Sequence, residues 1–423
     1  MNTFFSKIKT VFTDKTIRKR ILFVIAMLLV FRLLAIIPIP GVNIPRLQGL
    51  LASNQFLGVL NIFSGGGLST LSIIMLGVGP FITASIIMQL LTIMVPRLKA
   101  LYSEEGEIGR RKFTQYSRLL TVPLAVIQGL SLLVVLERQG IIEQLDMFAR
   151  VTNLSVVVAG SLLLMWLGEL VSEYGIGNGV SVLIFAGIVA NVPREISQAL
   201  FTYDKSQLPV YLLFGVVALF VIAAVVYLTE AERPIPVTYA KQVRGNKLYG
   251  GTSTYIPLRI TQAGVIPIIF ALSILLFPQL IGNLISNSTH LWVANLGRTL
   301  SQFNNTSVTY GILYFLLVFV FTYFYTAVTF DPQSLSTNLQ KNGAFIPGIR
   351  PGQPTAEYIS KVLNRITLIG ALFLGMIAVL PLIARALSGI TSIALGGTAM
   401  LIVVSVVIDI IKKIEAQLSM REY

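Results

Sequence analysis

The sequence predicts an all-α polytopic membrane protein with ten transmembrane helices. Its mean hydropathy is +0.80, and 55% of its 423 residues are hydrophobic while only 12% are charged, against about 25% charged in an average soluble domain. A helix needs roughly 20 apolar residues to cross about 30 Å of hydrocarbon. Stretches of this kind occur near residues 21–37, 72–95, 116–136, 153–170, 176–192, 208–228, 260–285, 308–330, 365–383 and 390–411.

The distribution of basic residues predicts the orientation of these spans. Most of the 32 Lys and Arg residues lie in the N-terminal tail, after every second span and after the last one, and such segments stay in the cytoplasm. Both termini and the long loops 229–259 and 331–360 are therefore expected to be cytoplasmic. Because the net charge of +14 collects on this face, anionic lipids and an acidic or nucleic-acid partner are candidate ligands.

The same pattern divides the chain into four predicted regions. Residues 1–20 read as a cytoplasmic amphipathic segment, and no signal cleavage site follows the first span, so this segment is expected to be retained. Residues 21–192 hold spans one to five, residues 193–411 hold spans six to ten, and residues 412–423 form a cytoplasmic tail.

The missing side chains exclude several kinds of chemistry. The chain has no cysteine, and its single histidine, His290, lies in a predicted outer loop, so no catalytic residue, metal site or cofactor is predicted. Secondary transporters usually carry ionisable groups near the middle of the membrane, but Glu169, Glu173 and Asp409 lie near the inner ends of spans. We compared a gated polypeptide channel with a secondary transporter or lipid flippase and with a membrane-embedded transferase, and the composition favours the channel.

Three local features have more than one interpretation. Gly175-Ile176-Gly177-Asn178-Gly179 is expected to be a tight turn requiring positive φ rather than a nucleotide-binding loop, because no soluble strand precedes it. Arg32 lies near the outer end of span one, where it would snorkel or pair with a neighbouring helix. The stretch QFLGVLNIFSGGGLSTLSI, residues 55–73, is apolar but far too short to span a bilayer before it breaks on three glycines.

The two long cytoplasmic loops predict an ordered, basic surface. Ile235 to Tyr239 is expected to pair with Thr254 to Ile256 as a hairpin, which would gather basic residues near its tip. Prolines and glycines bracket Arg350 and are expected to hold it on a rigid turn, and Thr355 is predicted to be the N-cap of span nine. Such an arrangement is typical of a docking surface, although a solvated positive-inside face has the same composition.

The chain resembles the SecY family, the central subunits of bacterial protein-conducting channels, over essentially its whole length. The resemblance is carried by NIFSGGGLSTLSIIMLGVGPFITASIIMQLL, GELVSEYGIGNGVSVLIFAGIV, PVTYAKQ, TQAGVIPIIFA, FIPGIRPGQPTAEYI and GGTAMLIVVSVVIDI, in this order. It implies two inverted pseudosymmetric five-helix halves around an hourglass pore that opens sideways between spans two and seven. The implied function is the translocation of signal-bearing unfolded polypeptides across the bacterial plasma membrane and the lateral release of hydrophobic segments into it.

The resemblance also assigns site residues and partners. A ring of aliphatic side chains at the waist of the pore is expected from Val78, Ile82, Val180, Ile184, Ile269 and Ile402. A plug that closes the pore is expected at residues 55–67, with Phe56, Leu57, Val59, Leu60, Asn61, Ile62, Phe63, Ser64, Gly65, Gly66 and Gly67. Docking of the SecA motor ATPase or of the ribosome is expected at Lys241, Arg244, Lys247 and Arg350. Small SecE-like and SecG-like membrane subunits, precursor proteins with signal peptides and anionic lipids complete the expected partners.

Overall fold

The structure is a computed structural model of the whole chain. It describes residues 14–40, 61, 64–103, 105–142, 145–201, 208–239, 242–244, 247–249, 253–262, 264, 266–286, 290–301, 308–388 and 391–419. Residues 1–13 of the predicted amphipathic segment 1–20, and residues 56–60, 62 and 63 of the apolar run, lie outside these ranges.

Each of the ten predicted spans corresponds to a helix. In chain order the helices are α1 (Lys15–Ile36), α2 (Gly79–Met94), α3 (Pro96–Ser103), α4 (Gly106–Arg138), α5 (Met147–Tyr174), α6 (Gly179–Phe201), α7 (Leu208–Glu230), α8 (Ile266–Ile285), α9 (Leu291–Ser301), α10 (Val308–Thr329), α11 (Pro332–Lys341), α12 (Gln353–Ser388) and α13 (Thr391–Ser419). Within the described ranges, four helices are long and apolar enough to cross a membrane: α4, α5, α10 and α12. The pair α2 and α3 is bent by 115° and would make a fifth span if counted as one.

One predicted boundary is wrong. Span two was expected to begin at residue 72, but residues 64–78 form a series of turns and α2 begins at Gly79, with Pro80 in its first turn. Proline is well placed there because a helix's first N–H groups have no acceptor within the helix. Helix α12 begins at Gln353, so its first two turns lie in the predicted cytoplasmic loop 331–360 and its apolar stretch follows them.

The chain forms two compact units. The first comprises Met1–Ala218, Leu272–Gly311 and Pro381–Tyr423, and the second comprises Leu219–Ala271 and Ile312–Leu380.

The Asp14 side chain caps the start of α1 by accepting from the backbone N–H groups of Thr16 and Ile17 at 2.7 and 3.3 Å.

Helix packing in the first unit depends on glycines. Helix α1 packs against α5 and α6. A Cβ atom on Gly179 would overlap the carbonyl of Gly168 in α5, and one on Gly160 would overlap the carbonyl of Ile73. Backbones therefore meet directly at these two points, as in the close helix pairs of membrane proteins.

The turn predicted between spans four and five is confirmed. Gly177 has a φ of 95°, a conformation that strongly favours glycine. The Asn178 side chain accepts from the N–H of Val180 at 3.1 Å, and the Ser172 hydroxyl accepts from the N–H of Gly179 at 2.8 Å. These bonds satisfy the first N–H groups of α6 and fix the point at which it begins.

The second unit contains a small β-sheet on helices. Strand β1 (Glu232–Tyr239) pairs antiparallel with β4 (Ser253–Arg259) and with the two-residue strand β5 (Ala344–Phe345), in the order β4-β1-β5. Strands β2 (Gln242–Arg244) and β3 (Lys247–Tyr249) form a separate hairpin. Ile235 stands opposite Ile256 and Val237 opposite Thr254, which confirms the predicted pairing. We call β1, β4, β5, α11 and the first two turns of α12 the sheet module.

The sheet module has its own apolar core. The buried side chains that form it are Ile235, Val237, Leu258, Ala344, Ile346 and Ile359. Ile235 and Val237 alternate with exposed residues along β1, as expected for a sheet with one covered face. Ile359 comes from α12 and is fully buried, so this helix joins the module to the helices of the same unit.

We expect Ile359→Ala to destabilise the sheet module by about 2–5 kcal/mol, because it leaves a cavity in a closed core. The measurement is limited proteolysis of the detergent-solubilised protein, scored by cleavage within residues 229–259 and 331–352. The control is Ile369→Ala in the same helix, where the side chain is 56% exposed. Equal protease resistance of the two variants would contradict the proposed role of this core.

Candidate functional site

The end of the predicted plug is a compact, buried turn. Of the plug residues, Asn61 and Ser64 to Gly67 lie within the described ranges, whereas the others lie outside them. The Asn61 side chain accepts from the N–H of Ser69 at 2.9 Å, and the Ser64 hydroxyl donates to the Asn61 carbonyl at 3.0 Å. Both side chains are therefore bonded to the backbone of this segment.

The residues between this turn and α2 are not helical, yet their polar groups are bonded. The Ser72 N–H and hydroxyl both donate to the Gly67 carbonyl, at 2.8 and 3.0 Å. Ile73 donates its N–H to the Ile37 carbonyl at 3.0 Å, next to an isolated β-bridge between Pro38 and Ser72. These bonds attach the segment before α2 to the end of α1.

Two of the three glycines of the predicted plug, Gly65 and Gly66, contact α1 and α6. We call residues 64–67 the glycine turn. Gly65 and Gly66 have φ values of 62° and 88°, which favour glycine. A Cβ atom on Gly65 would overlap the Phe31 ring, and one on Gly187 of α6 would overlap the Gly65 Cα. Arg32 donates from Nη1 to the Gly65 carbonyl at 3.4 Å. The sequence prediction did not identify Phe31, Arg32 and Gly187 as neighbours of this turn. The only feature in the sequence that indicated such a contact was an arginine within an apolar span.

The predicted ring residues lie on four helices or at a helix end. Val78 directly precedes α2 and Ile82 lies in its first turn, while Val180 and Ile184 lie in the first two turns of α6. Ile402 lies in α13, which packs against α6. These five residues belong to the first unit and Ile269, in α8, to the second. All six are buried except Val180, which is half-buried and packs on Gly168.

The basic hairpin tip is formed by β2 and β3. Arg244 and Lys247 stand opposite each other in register, on either side of residues 245–246. Their backbones therefore lie at the tip, as the sequence predicts. Lys241 lies outside the described residues.

Arg350 is exposed on a fixed turn. Gly348 and Gly352, on either side of it, have φ values of 83° and 99°, and Ile349 donates its N–H to Ile346 at 3.1 Å. The Ser336 hydroxyl of α11 donates to the Gly352 carbonyl at 2.6 Å. A hydrogen bond thus ties the turn to the sheet module, and the rigid presentation of Arg350 stays a prediction.

The predicted N-cap at Thr355 is wrong. Helix α12 begins two residues earlier, because Pro354 is compatible with a first helical turn. The buried Thr355 hydroxyl instead donates to the Arg350 carbonyl at 2.8 Å. Thr355 therefore stabilises the turn that carries Arg350 rather than the start of the helix.

Exposed tyrosines on the sheet module are a feature that the sequence prediction missed. Tyr255 is 65% exposed and stands opposite the exposed Pro236, while Tyr239 and Tyr358 are also exposed. Because side chains alternate along a strand, the burial of Ile235 and Val237 sends Pro236 and its partner to the open face. Basic Arg233, Arg259 and Lys341 are exposed on the same module. Aromatic and arginine side chains together are typical of protein-binding surfaces.

The described residues contain no group of three or more His, Asp or Glu side chains that could hold a metal ion. Glu169 lies 2.7 Å from Arg118 of α4, and Asp409 lies 2.9 Å from Lys413 one turn later in α13. Glu137 pairs with Arg150 at 2.9 Å. Each of these carboxylates therefore has a basic neighbour.

The fold is that of the protein-conducting channels. The solved structure described as "The structure of a protein conducting channel" matches with a TM-score of 0.65 and 18% identity, over 96% of this chain and 93% of that one. "Sec61 in the Canine ribosome-channel complex from the endoplasmic reticulum" matches with a TM-score of 0.62 and 17% identity, over 96% and 93%.

Sequence similarity then defines the family. A family model described as SecY matches residues 72–411. The protein translocase subunit SecY of Mycobacterium bovis is 41% identical over 100% of this chain and 99% of the relative. The protein translocase subunit SecY of Streptomyces coelicolor is 44% identical over 97% of each. The chain belongs to the SecY family. It is accordingly a membrane-embedded channel subunit of a protein translocase and not an enzyme.

We expect Thr355→Val to loosen the turn around Arg350 without changing the volume of the side chain. Losing a buried hydrogen bond costs about 1–2 kcal/mol, so backbone amide exchange at residues 349–356 should rise roughly tenfold. The control is Thr337→Val in α11, where the hydroxyl donates to the Gln333 carbonyl on an exposed helix face. Unchanged exchange in Thr355→Val would show that the hydroxyl does not hold the turn.

Proposed function

We propose that the chain is the pore-forming subunit of a channel in the bacterial plasma membrane, with both termini in the cytoplasm. It conducts unfolded, signal-bearing polypeptides across the membrane and releases hydrophobic segments sideways into it, driven by an external motor ATPase or by the ribosome. The observation that carries the proposal is the full-length similarity to protein translocase SecY subunits. Two features of the chain support it: buried aliphatic residues at the predicted ring and an exposed arginine on a fixed turn.

The aliphatic ring would act as the seal of the pore. Ions pass a narrow apolar constriction poorly because it offers no replacement for their hydration shell. Aliphatic side chains also contact a passing polypeptide without holding it through hydrogen bonds. Val78, Ile82, Val180, Ile184, Ile269 and Ile402 would form this ring, and residues 55–67 would close it as a plug between transport events.

The sheet module would be the docking surface for the driving partner. Arg350 and the hairpin tip with Lys241, Arg244 and Lys247 would contact a SecA-like motor ATPase or the ribosome. The exposed tyrosines of the module would add apolar contact area beside these charges. SecE-like and SecG-like subunits would bind the membrane-embedded surface, and anionic lipids would bind the basic cytoplasmic face.

A secondary transporter or lipid flippase is the weaker alternative. Ion coupling requires a titratable group on the transport path. Among the described carboxylates, Glu169 is paired with Arg118, and Asp409 is paired with Lys413. The channel requires only a seal, a gate and a docking surface.

The proposal is tested by reconstituting the chain with its small subunits and a motor ATPase in vesicles. Arg350→Glu is expected to reduce the amount of protease-protected precursor by about tenfold or more. It replaces a positive charge that would attract an acidic partner surface with a negative charge that would repel it. The control is Lys112→Glu, which reverses an exposed charge on α4, outside the sheet module. Normal transport by Arg350→Glu, or an equal loss in the control, would refute docking at Arg350.

The ring is tested by Ile402→Asn. Because an amide in an apolar constriction attracts water, the resting ion leak is expected to rise roughly tenfold and precursors with defective signals to be admitted. Ile411→Asn is the matched control, since Ile411 lies in the same helix but is 50% exposed. If ion leak and signal selectivity stay unchanged in Ile402→Asn, this residue is not part of the seal.

A further inference from the structure

We propose that the glycine turn is a latch seated between α1 and α6, and that Arg32 and Gly187 set how firmly the closed gate is held. Through this hold they would set how strong a signal sequence must be to open the channel. The inference rests on the proposed role of residues 55–67 as a plug. Arg32 and Gly187 are positioning residues in it, since they act through the backbone of Gly65.

The fit of the turn is backbone against backbone. On one side a Cβ atom at Gly187 would overlap the Gly65 Cα, and on the other side the Phe31 ring fills the space that a Cβ at Gly65 would need. Phe31 is 1% exposed and Gly187 is buried, so neither residue can move easily to make room. A side chain added at Gly187 would therefore displace the glycine turn from its position between α1 and α6.

The hold also has a polar part. Arg32 is half-buried in an apolar helix, where an arginine is costly unless its donors are used. Its Nη1 donates to the Gly65 carbonyl at 3.4 Å. This hydrogen bond gives the Arg32 guanidinium an acceptor and the Gly65 carbonyl a charged donor. It is lost if the turn moves away from α1.

Two further residues contact the same two helices: Thr70, which follows the glycine turn, and Gly66 within it. The Thr70 hydroxyl donates to the Ala35 carbonyl of α1 at 2.7 Å. A Cβ atom at Gly66 would lie 2.9 Å from Nδ2 of Asn191, which itself donates to the Gly187 carbonyl at 3.1 Å. Asn191 lies one helical turn after Gly187, and Ala35 lies one turn after Phe31, so each helix presents a single face to the turn.

This arrangement gives the turn a part in gating. The glycine turn is the last part of the proposed plug, so a turn held between α1 and α6 restricts where the rest of the plug can lie. A ligand opens a gate only by the difference in free energy that it supplies between the two states. Contacts made by the seated turn alone would therefore add to what a signal sequence must supply, and weakening them would let poorer signals open the channel.

The test compares Gly187→Ala and Arg32→Met with the unmodified chain, co-reconstituted with its small subunits and motor ATPase. Gly187→Ala displaces the turn, whereas Arg32→Met removes the donor without adding bulk. Each is expected to raise the ratio of defective-signal to intact-signal transport and the resting ion leak by roughly tenfold, which corresponds to about 1.4 kcal/mol.

Two control variants separate the latch from general damage. Arg32→Lys keeps a cationic donor and is expected to restore the signal selectivity that Arg32→Met loses. Gly215→Ala makes the same substitution in α7, where a Cβ atom would meet nothing within 4 Å, and it is expected to behave as the unmodified chain. Arg32→Met keeps the test valid even if Gly187→Ala fails to insert, because it introduces no overlap.

Deletion of residues 56–63 distinguishes failure of the latch from failure of the plug. If the deletion raises leak and relaxes selectivity while Gly187→Ala and Arg32→Met do neither, the latch is refuted and the plug stands. Loss of selectivity in Arg32→Met that Arg32→Lys does not restore would also refute the hydrogen-bonded latch. If the deletion itself leaves leak and selectivity unchanged, the plug and the latch that depends on it are both wrong.

Discussion

The need to satisfy backbone polar groups away from water is the constraint on which this structure depends. Lipid supplies no hydrogen-bond partners, so non-helical backbone in a membrane protein must be bonded by the protein itself. The chain departs from helix between α1 and α2, where residues 64–78 are mostly buried turns. Short polar side chains and neighbouring carbonyls meet the requirement: Ser72 bonds Gly67, Ser161 of α5 donates to Gly77 at 2.9 Å, and Ile73 bonds Ile37. These bonds allow a buried, irregular segment to exist beside the predicted ring.

Glycines allow these hydrogen-bonded turns to pack closely against the neighbouring helices. Gly160 brings α5 against the Ile73 carbonyl, Gly168 brings α5 against α6, and Gly187 brings α6 against the glycine turn. Helix α6 is thereby placed by backbone contacts on two of its neighbours. Val180 and Ile184 lie at the start of this helix, so the same contacts that seat the turn also position two predicted ring residues. A substitution that disturbs the packing of α6 is therefore expected to affect the turn and the ring together.

Sequence patterns predicted the elements of this fold better than they predicted the contacts. Each apolar stretch picked out by hydropathy falls on a described helix, and the β-type residues Ile235 to Tyr239 located the strand that pairs with Thr254 to Ile256. Hydropathy could not place the start of α2, since the turns before it are as apolar as a span, and Thr355 was misread because a hydroxyl that accepts and one that donates look alike in sequence. The seat of the glycine turn depends on Phe31, Arg32 and Gly187, which are far from it in the chain. Only the folded backbone brings them to Gly65.

The six predicted ring residues are all aliphatic, and this has a consequence for how a channel of this kind discriminates. Aliphatic side chains offer a substrate no charge and no hydrogen bond, so selectivity is expected to come from the free-energy difference between closed and open packing arrangements. That difference must be small enough for a signal sequence to supply, which means a few kcal/mol at most. One charged hydrogen bond and one glycine contact are interactions of this size. A gate held by many strong contacts would never open, and one held by none would leak, so a few contacts at a bonded turn are the physically suitable means of control.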